Sequence, residues 1–149
     1  MVFHWYLLFA HIFLFTLLSC NHIQDNASLD QEDIRYLRSL RLLDSNETVF
    51  GYYSEYKNKV AGNFFTDKRI ASYWIDEREA EKNKATFAYY ADIVRIDTVY
   101  EAGLTYTPYM LVTKKDNTQF KVSVDGSKEK VKSFFEKSIQ TWNNGTMKQ

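Results

Sequence analysis

Hydrophobic positions divide the chain into an apolar front and a patterned remainder. From Leu7 to Leu18 only His11 and Thr16 interrupt the apolar run, and residues 1–20 contain no Asp, Glu, Lys or Arg. Further on, Ile34, Leu37, Leu40 or Arg41, and Leu43 recur at helical spacing behind Ser28-x-x-Gln31, a capping box, and together predict a helix over 29–43. Short runs rich in aromatic and β-branched residues then predict strands at 47–56, 85–90, 93–100, 106–113 and 118–124, with a hairpin inside 63–76 folding about Thr66-Asp67-Lys68-Arg69. In 93–100 the three-residue spacing of Ile93, Ile96 and Val99 leaves a partly helical alternative open. Gly51 marks a bulge or a close contact, and Pro108 places 106–113 on a sheet edge or starts it after the proline. The charged stretch 77–84 reads as a loop or a single solvated turn, and Lys115-Asp116-Asn117 as a hairpin turn. Beyond Ser127, a helix cap, Val131, Phe134, Phe135, Ser138 or Ile139, and Trp142 form one apolar stripe of a helix over 128–142, with a tail at 143–149 that is expected to fray.

This order of elements is that of one α+β domain, and composition agrees. The 149 residues are 45% hydrophobic and 26% charged, which excludes disordered and low-complexity classes. Nineteen basic and nineteen acidic residues cancel, so no overall field exists to hold nucleic acid. The single cysteine, Cys20, rules out an internal disulfide, and all three histidines (His4, His11, His22) lie in the first 22 residues. Downstream of His22 the chain therefore lacks the imidazole base, the thiolate nucleophile and the soft metal ligands. No cofactor or metal is implied, and His22 reads as a solvated linker side chain.

The apolar run of about a dozen residues has the length of a signal-peptide core and falls short of the roughly 20 that span a bilayer. Its end, Leu17-Leu18-Ser19-Cys20, resembles a bacterial lipobox. That resemblance implies cleavage between Ser19 and Cys20, a diacylglycerol on the Cys20 sulfur, and Cys20 as the first residue of the mature chain. Leu18 is bulkier than the usual residue at its position. An uncleaved signal anchor and an ordinary secretory signal are the alternatives. Because one acyl chain binds a membrane only marginally and two anchor it stably, the lipidated form would stay at the membrane. The expected organisation is a signal peptide at 1–19, a polar tether at 20–28, a domain over 29–142 and the tail.

Within the domain, Thr66-Asp67-Lys68-Arg69-Ile70, Ser72-Tyr73-Trp74, Asp92-Ile93-Val94-Arg95-Ile96, Phe120-Lys121-Val122 and the stretch from Val131 to Trp142 resemble the bacterial pleckstrin-homology-like and GRAM-type domains. The resemblance implies a split β-barrel of six or seven short antiparallel strands closed by a C-terminal helix, here with an extra N-terminal helix. It also implies a structural Thr-Asp-x-Arg corner, with Thr66 and Asp67 folding the turn and Arg69 pairing inward. Since the fold hosts many functions, it points to binding or docking and to no particular ligand.

Candidate chemistry is sparse. Asp67, Lys68 and Arg69, and Asp92 with Arg95, are the polar constellations that a carboxylate base and a cationic clamp would need, but they read first as a charged turn and a paired strand end. A headgroup pocket of the phosphoinositide type would draw on Lys57, Lys59, Lys68 and Arg69, with Glu55 and Asp67 interleaved. Alternation puts Tyr52 and Tyr53, and again Tyr89 and Tyr90, on opposite faces, so one of each pair is expected outside as part of a partner surface. Three Asn-x-Ser/Thr triplets, at Asn26, Asn46 and Asn144, carry no meaning in a bacterial lipoprotein. The expected function is that of a lipid-anchored cell-envelope protein facing periplasm or exterior, which binds an envelope protein or peptide without catalysis. The alternative is a carbohydrate-handling or carboxylate-based enzyme drawing on two of Asp67, Asp92, Asp97 and Glu101.

Overall fold

The computed structural model describes residues 22–24, 28–54, 59–101 and 107–147. The expected signal peptide at 1–19, the Leu17–Cys20 motif, Glu55, Tyr56, Lys57 and Tyr106 lie outside the described residues. The described chain runs β1 (His22–Gln24), α1 (Gln31–Ser39), β2 (Val49–Ser54), β3 (Ala61–Thr66), β4 (Arg69–Trp74), β5 (Lys84–Tyr89), β6 (Ile93–Val99), β7 (Tyr109–Lys114), β8 (Gln119–Ser123) and α2 (Lys128–Thr146), with single 3-10 turns at Ala80–Lys82 and Tyr90–Asp92. Strands β1 to β5 form one antiparallel sheet in that order, and β6 to β8 a second.

Each element has a local cause. Asp30 caps α1, its Oδ1 accepting from Asp33 N at 2.7 Å, so the cap sits two residues beyond the Ser28 expected from sequence. Glu32 and Asp33 in the first turn and Arg38 in the last suit the helix dipole. The helix stops before 43 because Arg41 adopts φ 59, while Leu42 N donates to Leu37 O and Arg41 N to Arg38 O, the paired bonds of a Schellman motif. At the other end of the chain, Ser127 Oγ accepts from Lys130 N and starts α2. The β7–β8 turn places Asn117 at φ 64, with Asp116 Oδ1 accepting from both Thr118 N and Thr118 Oγ1.

Both faces of the larger sheet are buried, in two separate cores. Tyr53, Phe65, Ile70 and Ala88 point between the sheets and meet Met110, Val112 and Val122, with Val131, Phe134 and Phe135 of α2 closing the space. Tyr52, Phe64, Ala71 and Tyr73 point the other way, where Leu29, Ile34 and Leu37 of the α1 region, with Leu42 and Leu43, cover them. Alternation along β2 to β4 therefore sorts residues between two cores instead of between core and water. Gly51 lies at a register shift in β2, and a Cβ there would stand 2.4 Å from the Phe65 ring and 3.1 Å from that of Phe134, so the position requires glycine.

Three expectations need correction. The described residues hold eight strands where six or seven were expected; the additional one, β1, lies inside the supposed tether, paired antiparallel to Tyr52–Ser54. The two sheets are not joined by strand pairing into a closed barrel: among the described residues β5 pairs only with β4 and β6 only with β7. The helix at the end continues through Thr146, since Trp142 Nε1 donates to Tyr90 O at 3.2 Å and Gly145 lies so close to the Tyr90 ring that a Cβ would stand 2.9 Å away. The stretch 143–146 is thus packed helix, not a frayed tail.

Candidate functional site

The Thr-Asp-x-Arg corner is a saturated polar knot. Thr66 ends β3, and its Oγ1 accepts from Lys68 N at 2.9 Å and Arg69 N at 3.0 Å while donating to Glu47 Oε1 at 2.7 Å. Arg69 Nε and Nη2 donate to the two oxygens of the Glu47 carboxylate at 2.8 and 2.7 Å, and Nη2 also reaches Asp44 Oδ2 at 2.6 Å. The guanidinium lies against two neighbouring rings, 4.7 Å from the Phe87 centroid and 4.5 Å from that of Tyr89. Asp67 is taken up by the neighbouring segment, accepting from Thr48 N at 2.9 Å and donating its own N–H to Thr48 O. Lys68 Nζ donates to Asn46 Oδ1. The corner clasps residues 44–48 to the β3–β4 turn, and its groups are engaged with one another. Sequence reasoning missed Asp44 and Glu47, because the only signals, a turn residue and a strand start more than twenty positions upstream of Arg69, look the same whether or not a buried cation awaits them.

The other constellations separate. Arg95 pairs with Asp97 at 2.9 Å and not with Asp92. Lys59 pairs with Glu32 beyond one end of β3, whereas Lys68 and Arg69 follow its other end, so these three of the cations named for a headgroup pocket do not converge. Asp67 and Asp92 do line one cleft of about 460 Å³, with Lys68, Tyr89, Tyr90 and Gly145.

The exposure expected of one tyrosine in each pair holds for Tyr89 and Tyr90 and fails for Tyr52 and Tyr53. Tyr52, Tyr53 and Tyr90 are buried; Tyr89 is exposed. The expectation failed for Tyr52 because α1 covers the outer face of the sheet. Tyr52 and Tyr73 share a hydroxyl–hydroxyl hydrogen bond of 2.7 Å in that outer core, and Tyr90 OH donates to Thr66 O. Burial is the leading reason that Tyr52, Tyr73 and Tyr90 all hold their protons above the usual phenol range.

Two surface features remain. One is the free edge of β6, where Val94 and Tyr100 are exposed, Ile96 is half-buried and the Tyr100 ring packs 5.5 Å from that of Phe135. The other is a groove of about 520 Å³ between β1–β2 and α2, floored by Gly51, Phe65 and Phe134 and rimmed by Ile23, Phe50, Lys130 and Lys137.

No known family model matches this chain, and no curated protein matches it in sequence. Among solved structures, a DUF1696 family protein with a pleckstrin-homology domain from Shewanella loihica superposes with a TM-score of 0.53 at 11% identity, covering 83% of this chain and 97% of that one. At that identity the likeness speaks for fold alone: the described residues have a pleckstrin-homology-like fold of two antiparallel sheets and a C-terminal helix.

Proposed function

We propose that this chain is a lipid-anchored protein of the bacterial cell envelope, matured at Cys20, whose pleckstrin-homology-like domain works by binding a protein or peptide and not by catalysis. Leu17-Leu18-Ser19-Cys20 supports the anchor. The observation that carries the binding role is β6, an edge strand paired only on its β7 side among the described residues and bearing Val94, 52% exposed. Proteins ordinarily blunt such an edge, because its open N–H and C=O groups recruit another strand. β6 carries a bulge that leaves Val94 without a ladder partner between Ile93 and Arg95, and beyond it the one charged pair, Arg95 with Asp97, is internally neutralised, so the regular open edge runs from Arg95 to Val99. An extended peptide laid along β6 would gain main-chain hydrogen bonds and set its side chains beside Val94, Ile96 and Tyr100.

The experiment is a photo-crosslinking residue at position 94 in intact envelope, compared with Val94→Lys. A discrete adduct that the lysine variant no longer competes for, with its melting temperature unchanged, supports the reading. Absence of any adduct at this edge in folded protein removes it. A second reading, a carboxylate enzyme or carbohydrate-handling protein, draws on the cleft shared by Asp67, Asp92 and Tyr89. Hydrolysis of envelope glycans lost in Asp92→Asn would favour it.

A further inference from the structure

β1 begins two residues after Cys20, and its three residues are hydrogen-bonded to β2 in the register His22↔Ser54, Ile23↔Tyr53 and Gln24↔Tyr52. A chain spans at most about 3.6 Å per residue, so the Cys20 and Ile23 Cα atoms cannot be more than about 11 Å apart. Ile23 is itself a wall of the groove between β1–β2 and α2. On the reading that Cys20 carries acyl chains, on which this inference rests, the groove is held within a residue or two's reach of the bilayer, since one residue alone separates the anchor from β1.

The chemistry of that face matches its placement. Lys130, Ser133, Lys137, Gln140 and Asn144 follow one flank of α2 at spacings of three and four and line the groove or its continuation. Lys130 and Lys137 stand two turns apart there, and among the described residues neither meets a carboxylate. On the opposite flank Lys132 is paired with Glu136. Among the described residues the one acid on the groove is Glu129, which stays anionic: its own backbone N–H and Ser127 at the helix start hold its carboxyl below the usual carboxylate range, and the two lysines exceed it by one charge. Beside the lysines Phe50 is 45% exposed, an apolar ring at the lip of a polar rim.

We propose that this face, comprising Phe50, Ile23, Lys130 and Lys137, docks on the anionic phospholipid headgroups of the membrane that carries the anchor, with the β6 edge turned away toward envelope partners. A chain of zero net charge has no long-range attraction for such a membrane. None is needed: within a Debye length of about 8–10 Å two unpaired lysines suffice once a covalent anchor supplies proximity. Each lysine near an anionic surface contributes roughly a fivefold bias.

The test uses the full chain, matured in its host, extracted and reconstituted by its own anchor into vesicles of phosphatidylcholine with phosphatidylglycerol. A fluorophore is placed through Ser133→Cys or Gln140→Cys, which leave Phe50 and both lysines intact, and through Val94→Cys on the far edge. Positions 133 and 140 are expected to be quenched by a headgroup-attached quencher and shielded from iodide, with position 94 showing the reverse. In the combined variant Lys130→Gln with Lys137→Gln, docking should fall roughly 25-fold, fivefold for each lysine. Acyl mass at Cys20 with equal quenching at all three positions overturns the docking face and leaves the anchor standing. Absence of acyl mass on extracted protein overturns both. Shielding at 133 and 140 that comes from a copurified peptide, without headgroup quenching, overturns the lipid surface as the occupant.

Discussion

The Arg69 guanidinium and the Glu47 carboxylate face each other through two hydrogen bonds of 2.8 and 2.7 Å, with side-chain exposures of 1% and 0%. Desolvating such a pair consumes most of its Coulomb gain, yet removing Glu47 leaves the buried guanidinium with the half-exposed Asp44 as its remaining carboxylate. Glu47→Ala is therefore expected to destabilise the domain by about 3 kcal/mol, the low end for breaking a buried pair and still a large share of a typical 5–15 kcal/mol. Glu47→Leu with Arg69→Met, which keeps an apolar filling against Phe87 and Tyr89, should cost much less than the two single changes added together. Urea unfolding of the parent, Glu47→Leu, Arg69→Met and the double variant measures this, with Glu47→Ala alongside. Additive losses would mean that the two groups do not act as a pair.

Alkaline stability follows from three buried phenols. Tyr52, Tyr73 and Tyr90 have folded-state pKa values raised from the ordinary 10.0, chiefly by burial. The folded state then holds protons that the unfolded chain releases, so their contribution is complete below pH 10 and is lost as pH rises above it. Each adds a slope of about 1.4 kcal/mol per pH unit while the folded phenol stays protonated. Tyrosinate absorbance is expected to appear together with loss of structure as pH rises above 10, and Tyr52→Phe should make the slope shallower. Tyrosinate formed by all three in a chain that stays folded would contradict it.

Gly51 is expected to tolerate no side chain. With a Cβ placed 2.4 Å from Phe65 and 3.1 Å from Phe134, Gly51→Ala must displace two core rings, at a cost of about 1–3 kcal/mol. Thermal melting reads the loss, and Gly51→Ala combined with Phe65→Leu should recover part of it.

Arg41 is exposed at φ 59, where a side chain is strained by about 1–2 kcal/mol. Against that, glycine loses more backbone freedom on folding, by about 0.5–1 kcal/mol. Arg41→Gly should thus raise the melting temperature slightly, and Arg41→Val, β-branched at the same φ, should lower it. A fall for both would show that the Arg41 side chain makes a contact that outweighs its backbone strain.

Local patterns were legible where a single face decided the outcome. The α2 stripe of Val131, Phe134, Phe135 and Ser138 is buried as its spacing predicts, because one helix face meets one core. The β3–β4 turn and the Lys115–Asn117 turn were legible too, since Thr66 and Asp116 form them with their own near neighbours. Where two faces competed, the pattern was silent. Tyr52 and Tyr53 do point opposite ways, but whether the outward one meets water depends on α1, whose docking no residue of β2 encodes. Likewise His22–Gln24 has no strand pattern of its own and becomes a strand because the edge of β2 offers it partners.

The chain by itself determined its apolar front, the single cysteine behind it, the order of its elements and the want of imidazole and thiol beyond position 22, since all of these depend on residues near one another in sequence. Only the tertiary structure decided that Glu47 and Asp44 complete Arg69, that the larger sheet is buried on both faces, and that the segment after Cys20 is pinned beside a groove. Those are pairings across tens of residues, selected by which surfaces and charges must leave water together, and no local rule of spacing contains them.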